Sequence, residues 1–361
     1  MTRIVTLREF PPTSGSQNDP VAPFWTGDSS ALGDSIEPED AIELSEIRGG
    51  AVSIGNFDGV HRGHQNLLTR LVGMAKSIEG PSTVVVFDPH PASILRPESK
   101  TPRLTDLVER ARRMSRMDVD FLLVCPATPR LLEMAADEFF DTLLVNLLET
   151  KCIVEGPNFF FGKDRGGDVH RLKQLCDGHG IDLAIIDPLL EPSSDQIASR
   201  AADDVELVSS SNIRGALTSG DVARAASMMG HLHRVRGLVV DGAKRGREIG
   251  FPTANLDDLD AMLPCPGVYS AKATLADGAI RQAAVNLGPN PTFEESGDLK
   301  FEVHLIDYSG SLYGQRLTIE FIDRVRDIQT FDSVKSLTEQ LHQDLSTVRR
   351  QCQLQKDISW A

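Results

Sequence analysis

The hydrophobic pattern of the sequence changes once, near residue 230, and that change most constrains the fold. From residue 51 onward, short apolar runs rich in β-branched residues alternate with segments of helical periodicity. Strand–helix alternation of this kind predicts a parallel sheet covered by helices. The expected strands are AVSI, TVVVF, DFLLV, KCIVEG and LAIID, and the expected helices are QNLLTRLVGMA, TDLVERARRM, DEFFDTLLVNLL and DVHRLKQLC.

After a helical connector, SNIRGALTSGDVARAASMM, the pattern becomes alternation of polar and apolar residues without intervening helices. The expected strands are VRGLVV, GVYSAKATL, IRQAAVNLG, KFEVHLID and RLTIEFI, followed by one amphipathic helix, SVKSLTEQLHQDLSTVRRQC. Such a series predicts an antiparallel barrel with a C-terminal helix. The fold class is therefore α/β plus all-β.

The leader, the strand–helix region, the helical connector and the strand-only region divide the chain into four parts. We expect a leader at 1–48, a first module at 49–205, a connector at 206–230 and a second module at 231–361. Residues 1–50 carry nine acidic residues against three arginines, with little periodicity. We interpret this leader as mostly irregular, and a strand at Arg3–Leu7 is the one regular element that its pattern suggests.

Composition excludes several classes of protein. The net charge of −15 argues against a protein whose main task is to bind nucleic acid, since phosphate contacts need clustered Lys and Arg. No apolar run reaches the roughly 18 residues of a membrane span, and the N-terminus does not resemble a signal peptide. The five cysteines form no CxxC pair, which favours reduced thiols and a cytoplasmic location.

A Gly-rich stretch, GNFDGVHRGH at 55–64, stands where the first expected strand gives way to a helix. Glycines let the backbone approach a ligand closely, and a helix start offers free N–H groups to an anion. His61 and His64 add two donors at the same place, which suits the stabilisation of a phosphorus centre under attack. Half a metal site and an ordinary turn with two surface histidines are the alternatives.

The same stretch resembles the GxFDGxHxGH signature of the nucleotidyltransferase superfamily, in the form found in bacterial FAD synthetases. The motifs FDPHP (87–91), NFFFG (158–162), RGGD (165–168) and SSSNIR (209–214) agree with it. The resemblance implies a Rossmann-like domain in which His61 and His64 hold ATP phosphates during adenylyl transfer. It further implies that nucleotide contacts come from Gly55, Asn56, Phe57, Asp58, Asn158, Gly162, Asp168, Ser209, Ser210 and Arg214. Asn158 and Asp168 would also lie beside the flavin.

Hydroxyls and an arginine at a predicted helix start are good phosphate partners. This supports the assignment of Ser209, Ser210 and Arg214 independently of the resemblance. The alternative for Ser209 is an ordinary helix N-cap, followed by a solvated Arg214.

A second constellation lies in the expected barrel, where GLVVDGAKRGREIGFPTANL covers 237–256. The side chains of Thr253 and Asn255 point the same way on an extended segment and are oxygen ligands suited to Mg²⁺. In KFEVHLID, Phe301 and its alternate neighbours should face the core, which puts Glu302 and His304 on the other face. Glu302 could accept the proton of an attacking substrate hydroxyl. On pattern alone, Asn255 could instead cap a turn and Glu302 could simply face solvent.

The motifs GxxxGRxxGFPTAN, PxxGVY, NLGPNPTF, FEVHLID and LYG resemble bacterial riboflavin kinase. The resemblance implies that Glu302 is the catalytic base, that Thr253 and Asn255 hold the metal, and that Arg326 and Glu302 contact the flavin. ATP contacts in this module would come from Gly242, Lys244, Gly246, Arg247, Thr253 and Asn255. HLHRV (231–235) and RVRDIQTF (324–331) follow the family pattern more loosely.

Together the two resemblances point to the bifunctional riboflavin kinase/FAD synthetase family. The C-terminal module would make FMN from riboflavin and ATP, and the N-terminal module would join FMN to AMP from a second ATP and release pyrophosphate. Mg²⁺ with ATP would be the only cofactor, with no tightly bound redox group. The expected partners are these small molecules, without nucleic acid or membrane, and an oligomer is possible but not predicted.

Two alternatives remain open at this stage. One is a single-activity enzyme in which one module has decayed, and the other is a non-catalytic flavin-sensing protein on the same folds. Retention of both Glu302 and the His61/His64 pair argues against the second, because binding alone needs neither a base nor a transition-state contact.

Overall fold

The structure is a computed structural model that describes residues 2–7, 21–23, 44–95, 98, 101–192, 205–242, 245–288 and 300–356. The chain forms two compact units. The first contains residues 1–101 and 107–189, and the second contains residues 102–106 and 190–361. The connector at 206–230 is therefore part of the second compact unit.

Seven strands of the described residues form one sheet in the first unit. The strands are β1 (Arg3–Leu7), β2 (Val21–Pro23), β3 (Ala51–Ile54), β4 (Ser82–Asp88), β5 (Phe121–Pro126), β6 (Cys152–Glu155) and β7 (Asp182–Ile185). Their order in the sheet is β2-β1-β5-β4-β3-β6-β7. All neighbours run parallel except β2, which is antiparallel to β1. The expected parallel sheet is confirmed.

Helices connect these strands and cover both faces of the sheet. Alternate residues of β4 enter different apolar clusters: Val85 packs with Phe140, whereas Val84 and Val86 pack with Leu68. Strands buried on both sides explain the continuous apolar runs of the sequence. The helices are α1 (Arg62–Ser77), α2 (Pro91–Leu95), α3 (Leu107–Ser115), α4 (Pro129–Leu132), α5 (Ala136–Phe139), which continues as a π-helix at Phe140–Leu147, and α6 (Val169–His179).

The leader contributes to this sheet, so it is not wholly irregular. Strand β1 pairs with β5 from Arg3/Phe121 to Thr6/Val124, which confirms the strand that the sequence suggested. Val5 is completely buried, and Leu7 is only 2% exposed. An alternating five-residue strand at the start of the chain thus belongs to the core of the first unit.

The strand order creates a switch point between β3 and β6. From β3 the chain crosses over α1 to β4 on one side, whereas β6 lies on the other side of β3. Crevices at such points, beyond the carboxyl ends of the strands, are where open α/β sheets bind ligands. The GNFDGVHRGH loop begins directly after β3.

The second unit begins with a small sheet, in which β8 (Leu190–Pro192) and β9 (Val205–Leu207) pair with each other. The connector then forms two helices, α7 (Ser210–Ser219) and α8 (Val222–Met229). The predicted C-terminal helix is present as the last element, at Val334–Lys356.

Six antiparallel strands in the described part of the second unit close into a barrel, which confirms the prediction. The strands are β10 (His233–Val240), β11 (Ala254–Asp257), β12 (Gly267–Thr274), β13 (Ile280–Gly288), β14 (Lys300–Leu305) and β15 (Arg316–Arg326). Their order around the barrel is β10-β11-β14-β13-β12-β15. A one-turn helix, α9 (Arg245–Glu248), lies between β10 and β11, where we expected none, because a single turn is too short to show periodicity.

The connector adheres to the barrel. Ala226 of α8 packs in one apolar cluster with Ile322 of β15 and with Val348 of the C-terminal helix, α10 (Val334–Lys356). The apolar residues of the connector therefore belong to the packing of the second unit.

Candidate active sites

The loop after β3 has a conformation that its neighbours must hold in place. Phe57 and Val60 have positive φ angles of 49° and 40°, which non-glycine residues rarely adopt and β-branched ones even less. Both side chains are buried, with 3% and 0% exposure. Backbone strain of this kind persists only where packing determines it, and it concentrates at functional sites.

His61 and His64 lie together at the start of α1. His61 is the N-cap residue, and its Nδ1 accepts the main-chain N–H of His64 at 3.3 Å. The two rings stack with their centroids 3.6 Å apart, and Phe57 lies 4.9 Å from the ring of His64. Because Nδ1 of His61 is an acceptor, its proton belongs on Nε2. The structure thus brings together the two histidines that the sequence singled out.

The electrostatics of the site favour a neutral imidazole at His64. Burial, and then the nearby His61 and Arg110, hold the pKa of His64 well below its usual value. A neutral imidazole still carries one N–H and can donate it to a phosphate oxygen. His64 therefore offers a hydrogen-bond donor more readily than a positive charge.

Two buried ionisable residues lie near this loop, and sequence reasoning missed the first of them, Arg110. Arg110 of α3 is 5% exposed and bonds Asn56 and Asp58 of the loop. Glu155 ends β6 and is 3% exposed. A carboxyl group inside the apolar run CIVEG marked Glu155 as an unusual residue near the site. Arg110 gave no such signal, because arginine is common on the polar face of a helix.

Three other predicted residues of this site follow β6. Asn158 is exposed in a turn, and Asp168 is the N-cap of α6, where its Oδ1 accepts the N–H of Arg171 at 2.8 Å. Gly162 has a φ of 73°, and a Cβ there would lie 2.5 Å from the Cα of Ala136. Close backbone packing thus requires glycine at 162, and the ligand contacts of Gly162, Asn158 and Asp168 stay predictions.

The SSSNIR segment lies in the second compact unit, at the start of α7. Ser209 is the N-cap, and its Oγ accepts the N–H of Asn212 at 3.2 Å. Ser210 opens the helix, and Nε of Arg214 donates to the Pro102 carbonyl at 2.8 Å. Ser209 therefore caps the helix, and the phosphate role of the three residues stays a prediction.

In the barrel, Glu302 stands on the outward face of β14, as alternation predicted. Phe301, Val303 and Leu305 are buried, and Glu302 is half-buried between them. It pairs in register with Asn255 on one neighbouring strand and with Asn286 on the other. Nδ2 of Asn286 donates to Oε2 of Glu302 at 3.4 Å. Asn286 is the first residue of the motif NLGPNPTF, which by itself assigns it no role.

Thr253 lies just before β11 on the wall of a cavity of about 490 Å³. Nδ1 of His304 donates to the Pro252 carbonyl at 2.8 Å and so fixes the residue before Thr253. The aromatic and small residues of 308–313 were missed as a group, although LYG marked their end. The cavity is lined by Val239, Arg247, Pro252, Thr253, Ala254, Val303, Leu305, Tyr308, Ser309, Gly310, Ser311, Leu312 and Tyr313.

The Gly-rich segment before β11 packs tightly against the candidate metal ligands. A Cβ on Gly242 would lie 2.0 Å from Nδ2 of Asn255, and one on Gly246 would lie 2.3 Å from the Phe251 carbonyl. Only glycine fits at either place without displacing its neighbour. Arg247 lines the cavity, whereas Lys244 lies outside the described residues.

Arg326, the predicted flavin contact, forms an ion pair with Asp344 of α10. Its Nε lies 3.0 Å from Oδ1, and its Nη2 lies 2.8 Å from Oδ2. Asp344 is 3% exposed, so the pair anchors the C-terminal helix to the end of β15. Contact of Arg326 with a flavin stays a prediction.

The donor set of Thr253 and Asn255 fits Mg²⁺, which binds oxygen ligands and usually keeps several waters and phosphate oxygens. Within the described ranges, no group of three or more His, Cys, Asp or Glu is placed to hold a metal ion. Nor does any helix in that part of the chain have the length and apolar character to cross a membrane.

Comparison with known proteins matches a different family model to each of two parts of the chain. The family model of FAD synthetase matches residues 44–201, and that of riboflavin kinase matches residues 229–352. A bifunctional riboflavin kinase/FMN adenylyltransferase of Pseudomonas fluorescens is 35% identical over 84% of this chain and 93% of its own. The protein of that name from Haemophilus influenzae is 33% identical over 84% and 94%.

A solved structure has the same overall fold. A crystal structure from Streptococcus pneumoniae, described as that of a macrolide-efflux protein, superposes with a TM-score of 0.73 and 30% identity. The superposition covers 85% of this chain and 96% of that one. The likeness supports the two-module architecture.

Proposed function

Because the chain belongs to the bifunctional riboflavin kinase/FMN adenylyltransferase family, it is a kinase and a nucleotidyltransferase that uses ATP, and we propose which of its residues perform each reaction. His61 and His64 serve adenylyl transfer, and Glu302 serves the kinase. The stacked histidine pair at the switch point of the sheet is the observation that carries the first assignment.

In adenylyl transfer, a phosphate oxygen of FMN attacks the α-phosphorus of ATP, and the bond to the β-phosphate breaks to release pyrophosphate. The substrate brings its own nucleophile, so the protein must position the groups and stabilise the developing charge. Nε2–H of His61 and one N–H of His64 donate to the phosphate oxygens. We propose further nucleotide contacts for the loop at 55–58 and for Asn158 and Asp168, and phosphate contacts for Ser209, Ser210 and Arg214.

In the kinase, the terminal hydroxyl of the riboflavin side chain attacks the γ-phosphorus of ATP and ADP leaves. Glu302 takes the hydroxyl proton as the oxygen–phosphorus bond forms. Asn286 orients its carboxylate by donating to Oε2. The nucleotide occupies the cavity beside Thr253 and Arg247, with Gly242, Lys244 and Gly246 along the preceding loop, and Arg326 lies at the flavin.

Thr253 and Asn255 would hold Mg²⁺, which neutralises phosphate charge when it is bound with ATP. Only small-molecule partners are proposed: the net charge of −15 disfavours nucleic acid, and we propose no membrane partner. A cytoplasmic location fits the cysteines, since none of the five forms a disulfide in the described structure. The modules are proposed at 49–205 and 231–361, joined by residues 206–230.

One experiment tests this assignment against its two alternatives. The purified protein is incubated with riboflavin, ATP and Mg²⁺, and the flavins are separated by chromatography. We expect FMN to appear first and FAD to follow. FMN alone, or FAD only from supplied FMN, would indicate that one module has decayed. Riboflavin that is bound but unchanged would indicate a flavin-sensing protein.

A further inference from the structure

A buried arginine holds the GNFDGVHRGH loop from behind. Nη1 of Arg110 donates to the main-chain oxygen of Asn56 and to its side-chain Oδ1, both at 3.0 Å. Nη2 of the same guanidinium lies 3.3 Å from Oδ1 of Asp58. One side chain of α3 therefore bonds three oxygens of the loop, on both sides of Phe57.

The ion pair of Arg110 and Asp58 is removed from solvent. The two side chains are 6% and 2% exposed. A buried ion pair contributes little to stability on average, because desolvation offsets the attraction. It does fix geometry, since a guanidinium presents its donors in a rigid planar fork. The pair is thus better explained by the position it enforces than by the stability it adds.

The loop needs such enforcement. Phe57 lies between the two residues that Arg110 binds and has a φ of 49°, and Val60 has a φ of 40°. The relaxed alternative for both residues is a negative φ, which would redirect the chain that leads to His61. The bonds of Arg110 to Asn56 and Asp58 oppose that relaxation.

We propose that Arg110 is a positioning residue for adenylyl transfer, which holds Asn56 and Asp58 so that His61 and His64 present their N–H groups to the ATP phosphates. The inference rests on the function proposed above for the two histidines. It assigns Asp58 the part of an anchor for the loop, although the family resemblance implies a nucleotide contact.

The test measures both activities of the full-length chain for Arg110→Ala, Arg110→Lys and Asp58→Ala. Riboflavin phosphorylation in the same sample is the internal control for folding of the second unit. We expect Arg110→Ala to lower kcat for FAD formation from FMN by about 10- to 100-fold, the usual effect of losing a side chain that orients a functional group. The KM for ATP should change by less than about threefold, since the loss is one of alignment and not of ground-state binding.

Arg113 provides a matched control. It lies on the same helix, is 9% exposed, and pairs with Glu109 of that helix at 2.7 Å. Arg113→Ala should destabilise the protein to a similar degree and leave FAD formation within about twofold. Arg110→Lys keeps the positive charge but loses the planar guanidinium, so it should recover part of the lost kcat. This variant also tests the proposal if Arg110→Ala fails to fold.

A double variant separates the two roles of Asp58. If Asp58 acts through Arg110, the Arg110→Ala/Asp58→Ala chain should be no slower than the slower single variant. Losses that multiply would overturn the anchor role and restore a nucleotide contact. Unchanged kcat in Arg110→Ala, or an equal loss in Arg113→Ala, would overturn the proposal for Arg110. Unchanged FAD formation in His61→Ala would instead overturn the function on which it rests.

Discussion

The carboxyl group of Glu155 accepts the main-chain N–H of Ile54 at 2.6 Å, across the switch point of the sheet. Main-chain pairing of β3 and β6 joins Ala51 to Cys152 and Val52 to Ile153, and the side chain of Glu155 extends the contact beyond them. Oγ of Ser53 lies 3.4 Å from the same oxygen. A buried carboxyl group thus holds the two strand ends between which open α/β sheets bind their ligands.

This arrangement predicts how the stability of the first unit depends on pH. Burial raises the pKa of Glu155 to about 8, from an ordinary value of 4.5. Between these values the folded chain keeps a proton that the unfolded chain has lost. The associated stability is complete below about pH 4.5, declines by about 1.4 kcal/mol per pH unit and is lost above about pH 8.

Glu155→Gln keeps an acceptor for the Ile54 N–H but cannot ionise. We therefore expect the wild-type chain to lose free energy of unfolding relative to Glu155→Gln as the pH rises from about 5 to about 8, the interval over which the folded chain alone keeps the proton. The measurement is denaturant unfolding of both chains across that range, followed by a probe of the first unit. Parallel pH curves would show that Glu155 is not protonated in the folded state.

The sequence was sufficient to predict the elements that have a repeating hydrophobic pattern. It was not sufficient to predict the contacts of a single buried residue such as Arg110. Alternating strands and helices identified both modules, and the alternation of KFEVHL placed Glu302 outward. The turn of α9 is too short to show a period. Arg110 was missed because hydrophobic pattern shows which face of a helix is buried but not which loop a buried arginine will meet. Its partner Asn56 lies 54 positions earlier in the chain.

The leader strand should be required by the first unit. Leu7 is 2% exposed in the core, so Leu7→Ala should cost about 2–5 kcal/mol through lost burial and a residual cavity. Arg3→Ala on the same strand is the matched control, since its exposed pair with Glu46 should contribute at most about 1 kcal/mol. Thermal unfolding and FAD formation report the effect. Equal stability of the two variants would place β1 outside the cooperative core.

The connector should be required for a stable isolated barrel. Its helix α8 buries Ala225, Ala226, Met228 and Met229, and Ala226 packs in a cluster with barrel residues. We expect residues 205–361 to fold and phosphorylate riboflavin, and residues 231–361 to unfold at a lower temperature. Circular dichroism and FMN formation test both pieces. Equal melting temperatures would show that α8 does not support the barrel.

Substitution of Asn286 should lower the rate of the kinase reaction without affecting adenylyl transfer. Loss of its bond to Oε2 of Glu302 removes one contact that orients the carboxylate, so Asn286→Ala should lower kcat for FMN formation by about tenfold. Gln282→Ala, on the same outward face of β13, is the control and should leave that rate unchanged. A rate equal to wild type in Asn286→Ala would remove the residue from the positioning of the base.

Under the proposed assignment, two separate sets of residues carry the two reactions. The most direct measurement assays FMN formation from riboflavin and FAD formation from supplied FMN, in parallel, for His61→Ala and Glu302→Gln. His61→Ala should lose about 10²–10³ in the rate of FAD formation and keep the kinase, because one charge-stabilising donor is gone. Glu302→Gln should abolish FMN formation and still make FAD from FMN. Loss of both activities in either variant would overturn the assignment of separate residues to the two reactions.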